Sequence, residues 1–335
     1  MNFSKAFYRV QWISLALIYL VVIAGSVVRT TGSGMGCPDW PKCFGQWVPP
    51  TEASQLPEGY QEVLAEKRIK KAEKFSNYLR VFGFEETADQ LKNDIYLTVE
   101  QPFNASRTWT EYANRLVGFL AGNVVLLIFI WAFIRYRKQR RILILTFVNL
   151  ILMGFQGWFG SIVVASNLVP WTITVHLLIA LVIIAVQIYL IFKIKGGVPN
   201  LALSKPLKWV LIACGLITFS QMFLGTQVRE SIDELTRAGI GREEWSSQMG
   251  LMYFVHRSFS WLVLAFLLLM AIHNERNEKH FIIRLSFILL SIELFTGLLL
   301  AHFDLRGWVP VAHLLFASLI FGVLWMAVLR SKIKS

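Results

Sequence analysis

Eight nearly uncharged stretches of this chain are long enough to cross the roughly 30 Å apolar layer of a bilayer. They begin near Trp12, Leu116, Ile142, Trp171, Trp209, Ser258, Leu285 and Val309. In lipid a backbone must satisfy its own N–H and C=O groups, so each stretch reads as a spanning α-helix and the fold class as all-α integral membrane. Composition agrees, with a mean hydropathy of +0.53, 55% apolar residues and 16% charged residues, where soluble domains carry about a quarter charged. The net charge of +12 does not indicate a nucleic-acid partner, because the cations gather in alternate connections. Arg135, Arg137, Lys138, Arg140 and Arg141 fill one, Lys193, Lys195, Lys205 and Lys208 the next, and Arg276, Lys279 and Arg284 a third. This positive-inside pattern, with Lys5 and Arg9 near one terminus and Arg330, Lys332 and Lys334 near the other, places both termini in the cytoplasm.

Residues Met1 to Val10 run into the first span without a small-residue cleavage site or the character of a transit peptide, so the expected location is a bacterial inner membrane. One outer connection, residues 31 to 110, is far longer than a simple loop and must be partly folded. Its first part is turn-rich, and Ala65 to Asn93 has the composition of a solvated amphipathic helix. Cys37 and Cys43 bracket a Pro-Asp-Trp-Pro turn on this outer, oxidising side. They are close enough in sequence to bridge, and a disulfide is favoured over free thiols or a metal-delivery pair. Cys214 lies mid-span and reads as a small apolar filler.

An internal repeat organises the rest. Gly25-Ser26-Val27-Val28-Arg29 matches Gly225-Thr226-Gln227-Val228-Arg229, and Asn114-Arg115 at the outer start of the second span matches His256-Arg257 at that of the sixth. Gly160, Trp171 and His176 match Gly297, Trp308 and His313, with the same spacings of 11 and 5 residues. Each unit has an even number of spans, so the copies share one orientation and are related by an axis along the membrane normal. The expectation is two tandem four-helix bundles with pseudo-twofold symmetry, residues 1–194 with the large outer loop and residues 195–335.

Of six histidines, His176, His256 and His313 fall about one turn inside the outer ends of the fourth, sixth and eighth spans, at one depth. A lone histidine there is usually structural, but repeat-related placement points to ligation. Two inward imidazoles on different helices of one bundle grip haem iron from both faces, which is the arrangement expected of His256 and His313. Zinc is the weaker candidate, because it wants about four clustered ligands. His273 and His280 belong to a cytoplasmic polar loop, and His302 to a short outer loop where no role is assigned. Arg29, Arg115, Arg229 and Arg257 lie at the depth where haem propionates need cations, the alternative being ordinary interface anchors.

The units differ where it matters: the first has Asn114 and Glu111 where the second has His256 and Tyr253. With His176 as its one strong ligand, a first haem would have an open or weakly held position, as reactive iron requires, while a doubly ligated second haem suits electron transfer. Glu111, Asn114 and Arg115 share one helix face, which brings a carboxylate beside the first haem, unless Glu111 serves only to pair with Arg115. Glu293 and Gln156 each precede their unit's histidine by 20 residues and are expected to face the bundle interior.

The run from Arg29 through Gly32-Ser33-Gly34 to Cys37-Pro38-Asp39-Trp40-Pro41-Lys42-Cys43, the Glu111-Tyr112-Ala113-Asn114-Arg115 segment and the three span histidines resemble the haem A synthase family over essentially the whole chain. The resemblance implies oxidation of a methyl group on haem O to the formyl group of haem A for terminal oxidases. It implies a substrate haem in the first bundle, an electron-passing haem b on His256 and His313 in the second, an essential Glu at position 111, and a disulfide between Cys37 and Cys43. It also implies links to haem O synthase, cytochrome oxidase assembly and a membrane electron donor; a homo-oligomer is left open. One departure is Asn114, where the family pattern has histidine. Competing readings are a dihaem b-type cytochrome that only relays electrons and a haem transporter or chaperone. Four ligating histidines would favour the relay, whereas three histidines and an intramembrane Glu111 favour chemistry at the first site.

Overall fold

The computed structural model describes residues 3–37, 39–81, 83–92, 102–165, 170–196, 201–303 and 307–333. In chain order its helices are α1 (Lys5–Thr30), α2 (Tyr60–Val81), α3 (Glu85–Lys92), α4 (Ala105–Arg135), α5 (Arg140–Ala165), α6 (Pro170–Lys195), α7 (Lys205–Arg237), α8 (Arg242–Gln248), α9 (Leu251–Asn277), α10 (Phe281–His302) and α11 (Trp308–Arg330). Among the described residues, the eight helices other than α2, α3 and α8 are long and apolar enough to cross a membrane. Their starts follow ordinary helix chemistry. The Ser4 hydroxyl accepts the Phe7 N–H, the Asn104 side chain accepts the Arg107 N–H, and Pro206 opens α7 where a missing N–H costs nothing.

The spanning helices pack as two closed rings. In the first, α1 touches α4, α4 touches α5, α5 touches α6, and α6 returns to α1; in the second, α7, α9, α10 and α11 make the same circuit. The rings meet where α1 and α6 face α11 and α7. Ile18, Val22, Ile184, Ile188 and Met222 are buried in this seam beside Phe321 and Trp325. Hydrogen bonds cross between the rings from Trp325 Nε1 to the Ala185 carbonyl at 2.9 Å, from the Tyr19 hydroxyl to the Ser318 carbonyl at 3.3 Å and from Arg29 to Asp233 at 2.6 Å. Within the first ring, Asn149 of α5 donates to Gln187 of α6, which in turn donates to Gln11 of α1, at 2.8 and 2.9 Å. Between helices surrounded by lipid, such polar contacts and close packing replace the hydrophobic drive available in water.

The long connection after α1 folds on the end of the first ring that also carries His176. The amphipathic stretch expected over Ala65 to Asn93 divides into α2 and α3. Gly83 causes the break: its φ of 83° ends α2 with the Phe84 N–H reaching the Leu79 carbonyl and the Gly83 N–H the Arg80 carbonyl, a closing turn that only glycine adopts without strain. The pair is rejoined by the Ser76 hydroxyl on the Ala88 carbonyl and by an Arg80–Asp89 ion pair. Phe75 stacks on Trp171 at the start of α6, with ring centres 6.2 Å apart. At the opposite end, β1 (Leu201–Leu203) pairs in parallel with β2 (Ser331–Ile333), a feature the all-helical reading did not contain. Leu201 and Leu203 point into the core of the second ring while Ala202 faces out, the alternation of a half-buried strand.

Candidate functional site

Four seats of matching construction lie at the end of the two rings that bears the long connection. A Cβ placed on Gly160 of α5 would stand 3.3 Å from Cε1 of His176 on α6. The same test puts Gly225 of α7 at 3.2 Å from His256 on α9, and Gly297 of α10 at 3.2 Å from His313 on α11. At the fourth seat, Gly25 of α1 comes within 4.0 Å of Oδ1 of Asn114 on α4. Each imidazole therefore lies against a neighbouring helix at a place where a side chain would push it aside. The repeat marked these glycines in the sequence; their role as seats for the rings is visible only once the helices pack.

The three rings are held differently. Nδ1 of His313 is 2.9 Å from the Thr296 hydroxyl and 3.2 Å from a carboxylate oxygen of Glu293, which orients the ring and presents Nε2. Nδ1 of His176 and Nδ1 of His256 are buried with no hydrogen-bond partner among the described residues. The backbones carrying them are held from the neighbouring helix: Gln156 donates to the His176 carbonyl at 2.8 Å and Gln221 to the His256 carbonyl at 2.6 Å. Phe159 stacks beside His176 with ring centres 6.3 Å apart. Buried imidazoles of facing helices at one depth, each backed by glycine, fit a flat metal-bearing cofactor held through a ring nitrogen.

Asn114 lies one turn below Glu111, whose side chain is 3% exposed. One carboxylate oxygen of Glu111 accepts the Cys37 N–H at 2.7 Å, and the other accepts from Arg115 at 2.5 Å. Arg115 also donates to the carbonyls of Cys37 and Asp39, each at 2.6 Å, and of Lys42 at 3.1 Å, so the loop between the cysteines wraps its guanidinium. Cys37 and Cys43 are joined in a disulfide. Gly36 packs directly on α4, where a Cβ would fall 2.5 Å from the Arg107 carbonyl oxygen, and the Thr108 hydroxyl donates to the Gly36 carbonyl at 2.9 Å. Asp39 closes the turn by accepting the Phe44 and Gly45 N–H groups at 2.6 and 2.8 Å. The pairing of Glu111 with Arg115 and its position beside the first seat thus coexist.

The remaining arginines separate. Arg29 and Arg229, matched in the repeat, share one carboxylate: Asp233 takes Arg29 at 2.6 Å and Arg229 at 2.9 Å. Arg257 is exposed beside His256. His302 ends α10 in an exposed position, and His280 pairs with Glu278 at 3.2 Å, at the far end from the seats.

The sequence profile of the COX15-CtaA family, described as cytochrome oxidase assembly protein, matches residues 8–325. The chain belongs to this family. Its curated relatives include the haem A synthases of Geobacillus kaustophilus, 23% identical with 93% of this chain and 86% of the relative covered, and of Alkalihalophilus pseudofirmus, 22% identical with 92% and 91% covered. A haem A synthase of Bacillus cereus is 23% identical with 97% and 95% covered. Family membership spans both rings, so neither seat region is an addition to an unrelated scaffold.

Two features of the site escaped the sequence reading. Asp233 lies beyond the apolar stretch, because α7 runs to Arg237, about 50 Å at 1.5 Å per residue, and so carries acids past it. Its position four residues after Arg229 was the available signal. Thr296, three residues after Glu293, carried no distinguishing pattern of its own.

Proposed function

We propose that this chain is a haem A synthase of a bacterial inner membrane, oxidising a methyl substituent of haem O to the formyl group of haem A for terminal oxidases. The observation that carries this reading is the inequality of the four seats: three hold imidazoles, and the fourth holds Asn114 one turn from the buried carboxylate of Glu111. The proposed division is residues 1–194 for the substrate haem and residues 195–335 for a haem b, the two units related by a pseudo-twofold axis. Support comes from the matching helix circuits and matching seats.

In this reading His256 and His313 would hold haem b, and His176 would hold the substrate haem. Asn114 leaves the opposite face without a strong ligand, and the bound iron supplies the oxidising chemistry there. Methyl-to-formyl conversion with an oxygen atom taken from water releases four electrons and four protons, so the site needs water, a base and an electron exit. Glu111 is assigned the proton-accepting role, because Arg115 and the Cys37 N–H fix its carboxylate in place beside the first seat. The disulfide loop serves as the lid that orders this pair. A haem b held by His256 and His313 would supply the route for these electrons to a membrane partner.

Arg29, Arg229 and Arg257 are assigned to the propionate edge. Arg115 adds charge to that edge while its N–H groups hold the loop. Both termini face the cytoplasm, haem O synthase supplies the substrate, and oxidase assembly receives the product. Pigment extraction from purified protein tests the reading. Haem O and haem A beside haem b supports it. Haem b alone points to an electron relay, and bound haem that is never converted points to a carrier.

A further inference from the structure

Beneath the first seat the surface between α4 and α5 is hollow. A pocket of about 210 Å³ is walled chiefly by Gly118, Gly122 and Leu126 of α4 and by Leu150, Met153 and Gly154 of α5. On α4 these residues follow Asn114 in steps of four, one continuous ridge row, and on α5 Gly160, Gly157 and Gly154 descend in steps of three. The groove therefore starts under Asn114 and His176 and runs about 12 Å toward the bilayer interior, from Gly118 to Leu126 at 1.5 Å per residue.

Its glycines are not there for helix packing. A Cβ on Gly118, Gly154 or Gly157 would meet nothing within 4 Å, and one on Gly122 only Met153 Cγ at 3.9 Å. Glycines that bring helices together would show close backbone neighbours. At the corresponding places below the second site stand Ser260, Leu264, Ser291 and Leu294. Leucines thus stand in the second unit where Gly122 and Gly157 of the first leave room.

A second observation marks a ligand. Gln156, between Gly154 and Gly157 in sequence, is only 8% exposed and donates through Nε2 to the His176 carbonyl, while its Oε1 is buried without a partner. A buried acceptor left unmade at the foot of a ligand histidine indicates a hydroxyl that arrives with the ligand. The matching residue in the second unit, Glu293, is instead bound to the imidazole of His313.

We infer that the groove receives the isoprenoid chain of the substrate haem, and that Gln156 Oε1 accepts the hydroxyl at the root of that chain. The inference rests on the haem A synthase reading of the first site. Haem b carries no such chain, which fits the leucines that stand in the second unit at the places of Gly122 and Gly157. Because lipid is as apolar as the groove, the gain is orientation: seating the chain determines which edge of the porphyrin, and so which methyl group, is presented for reaction.

The test titrates the first site of the full-length protein in nanodiscs with haem O and with haem B, following the Soret difference band, with the second-site haem b spectrum reporting folding. The wild type is expected to prefer haem O. Gly122→Leu, which installs the residue of the second unit, should weaken haem O binding about tenfold and leave haem B binding unchanged. Gly154→Ala should shift the preference in the same direction by less, and it covers the case where the leucine variant does not fold. Gln156→Leu should lower the ratio of haem O to haem B affinity, since a purely positional effect through His176 would fall on both pigments alike. Equal shifts for the two pigments, or an undiminished preference for haem O in folded Gly122→Leu and Gly154→Ala, would overturn the inference. A wild-type first site that binds neither pigment would instead overturn the reading on which it rests.

Discussion

The carboxylate of Glu111 and the backbone N–H of Cys37 are joined by a 2.7 Å hydrogen bond, linking a spanning helix to a disulfide loop 74 residues earlier in the chain. The intramembrane acid is therefore not an isolated charge. Arg115 neutralises it and at the same time gathers three loop carbonyls, so the acid, the cation and the disulfide behave as one unit.

Removing the charge of Glu111 while keeping its shape should separate chemistry from structure. Glu111→Gln retains an acceptor for the Cys37 N–H, and Glu111→Ala loses both functions. Product formation is expected to fall by about a hundredfold or more in each, the range for loss of a positioned base, with the haem b spectrum unchanged. Normal haem A output, or disappearance of haem b, would refute the assigned role.

Opening the disulfide should act on the same unit from the other side. Cys37→Ser with Cys43→Ser releases a short loop and is expected to cost about 2 kcal/mol of loop ordering. Hydrogen exchange of residues 39 to 46 should accelerate and haem A production should drop, while haem b content holds. Unchanged exchange would mean that the contacts of Arg115 suffice to order the loop.

The glycine seats make opposite predictions for the two units. Gly160→Val places bulk 3.3 Å from the His176 ring and should abolish pigment at the first site alone. Gly297→Val should remove the low-spin haem b signal, as should His256→Ala or His313→Ala. A normal haem b spectrum in any of the last three variants contradicts the assigned ligands.

Asp233 ties Arg29 of the first ring to Arg229 of the second. Asp233→Ala leaves two partly buried cations facing each other and is expected to lower stability by roughly 1 kcal/mol, read as a fall in Tm of the haem-loaded protein. A Tm equal to that of the wild type would show that the pair contributes nothing across the seam.

Much of this architecture was written along the chain. Eight spans follow from hydropathy because a backbone in lipid has few alternatives to the helix. The positions of His176, His256 and His313 follow from a register repeated in both halves. What the chain order could not express is which groups meet across helices. Glycine is silent in a sequence until a neighbouring helix shows that it makes room for an imidazole, as at Gly225, or leaves a hollow, as at Gly122. Glu111 read alone was either a base or a surface ion pair; packing of the cysteine loop on α4 gave it two partners at once and buried it. Local pattern determines helices and their depth, because both depend on each residue's own transfer from water to lipid. Lateral contacts, which depend on the simultaneous placement of segments far apart in sequence, were decided only when the two rings closed.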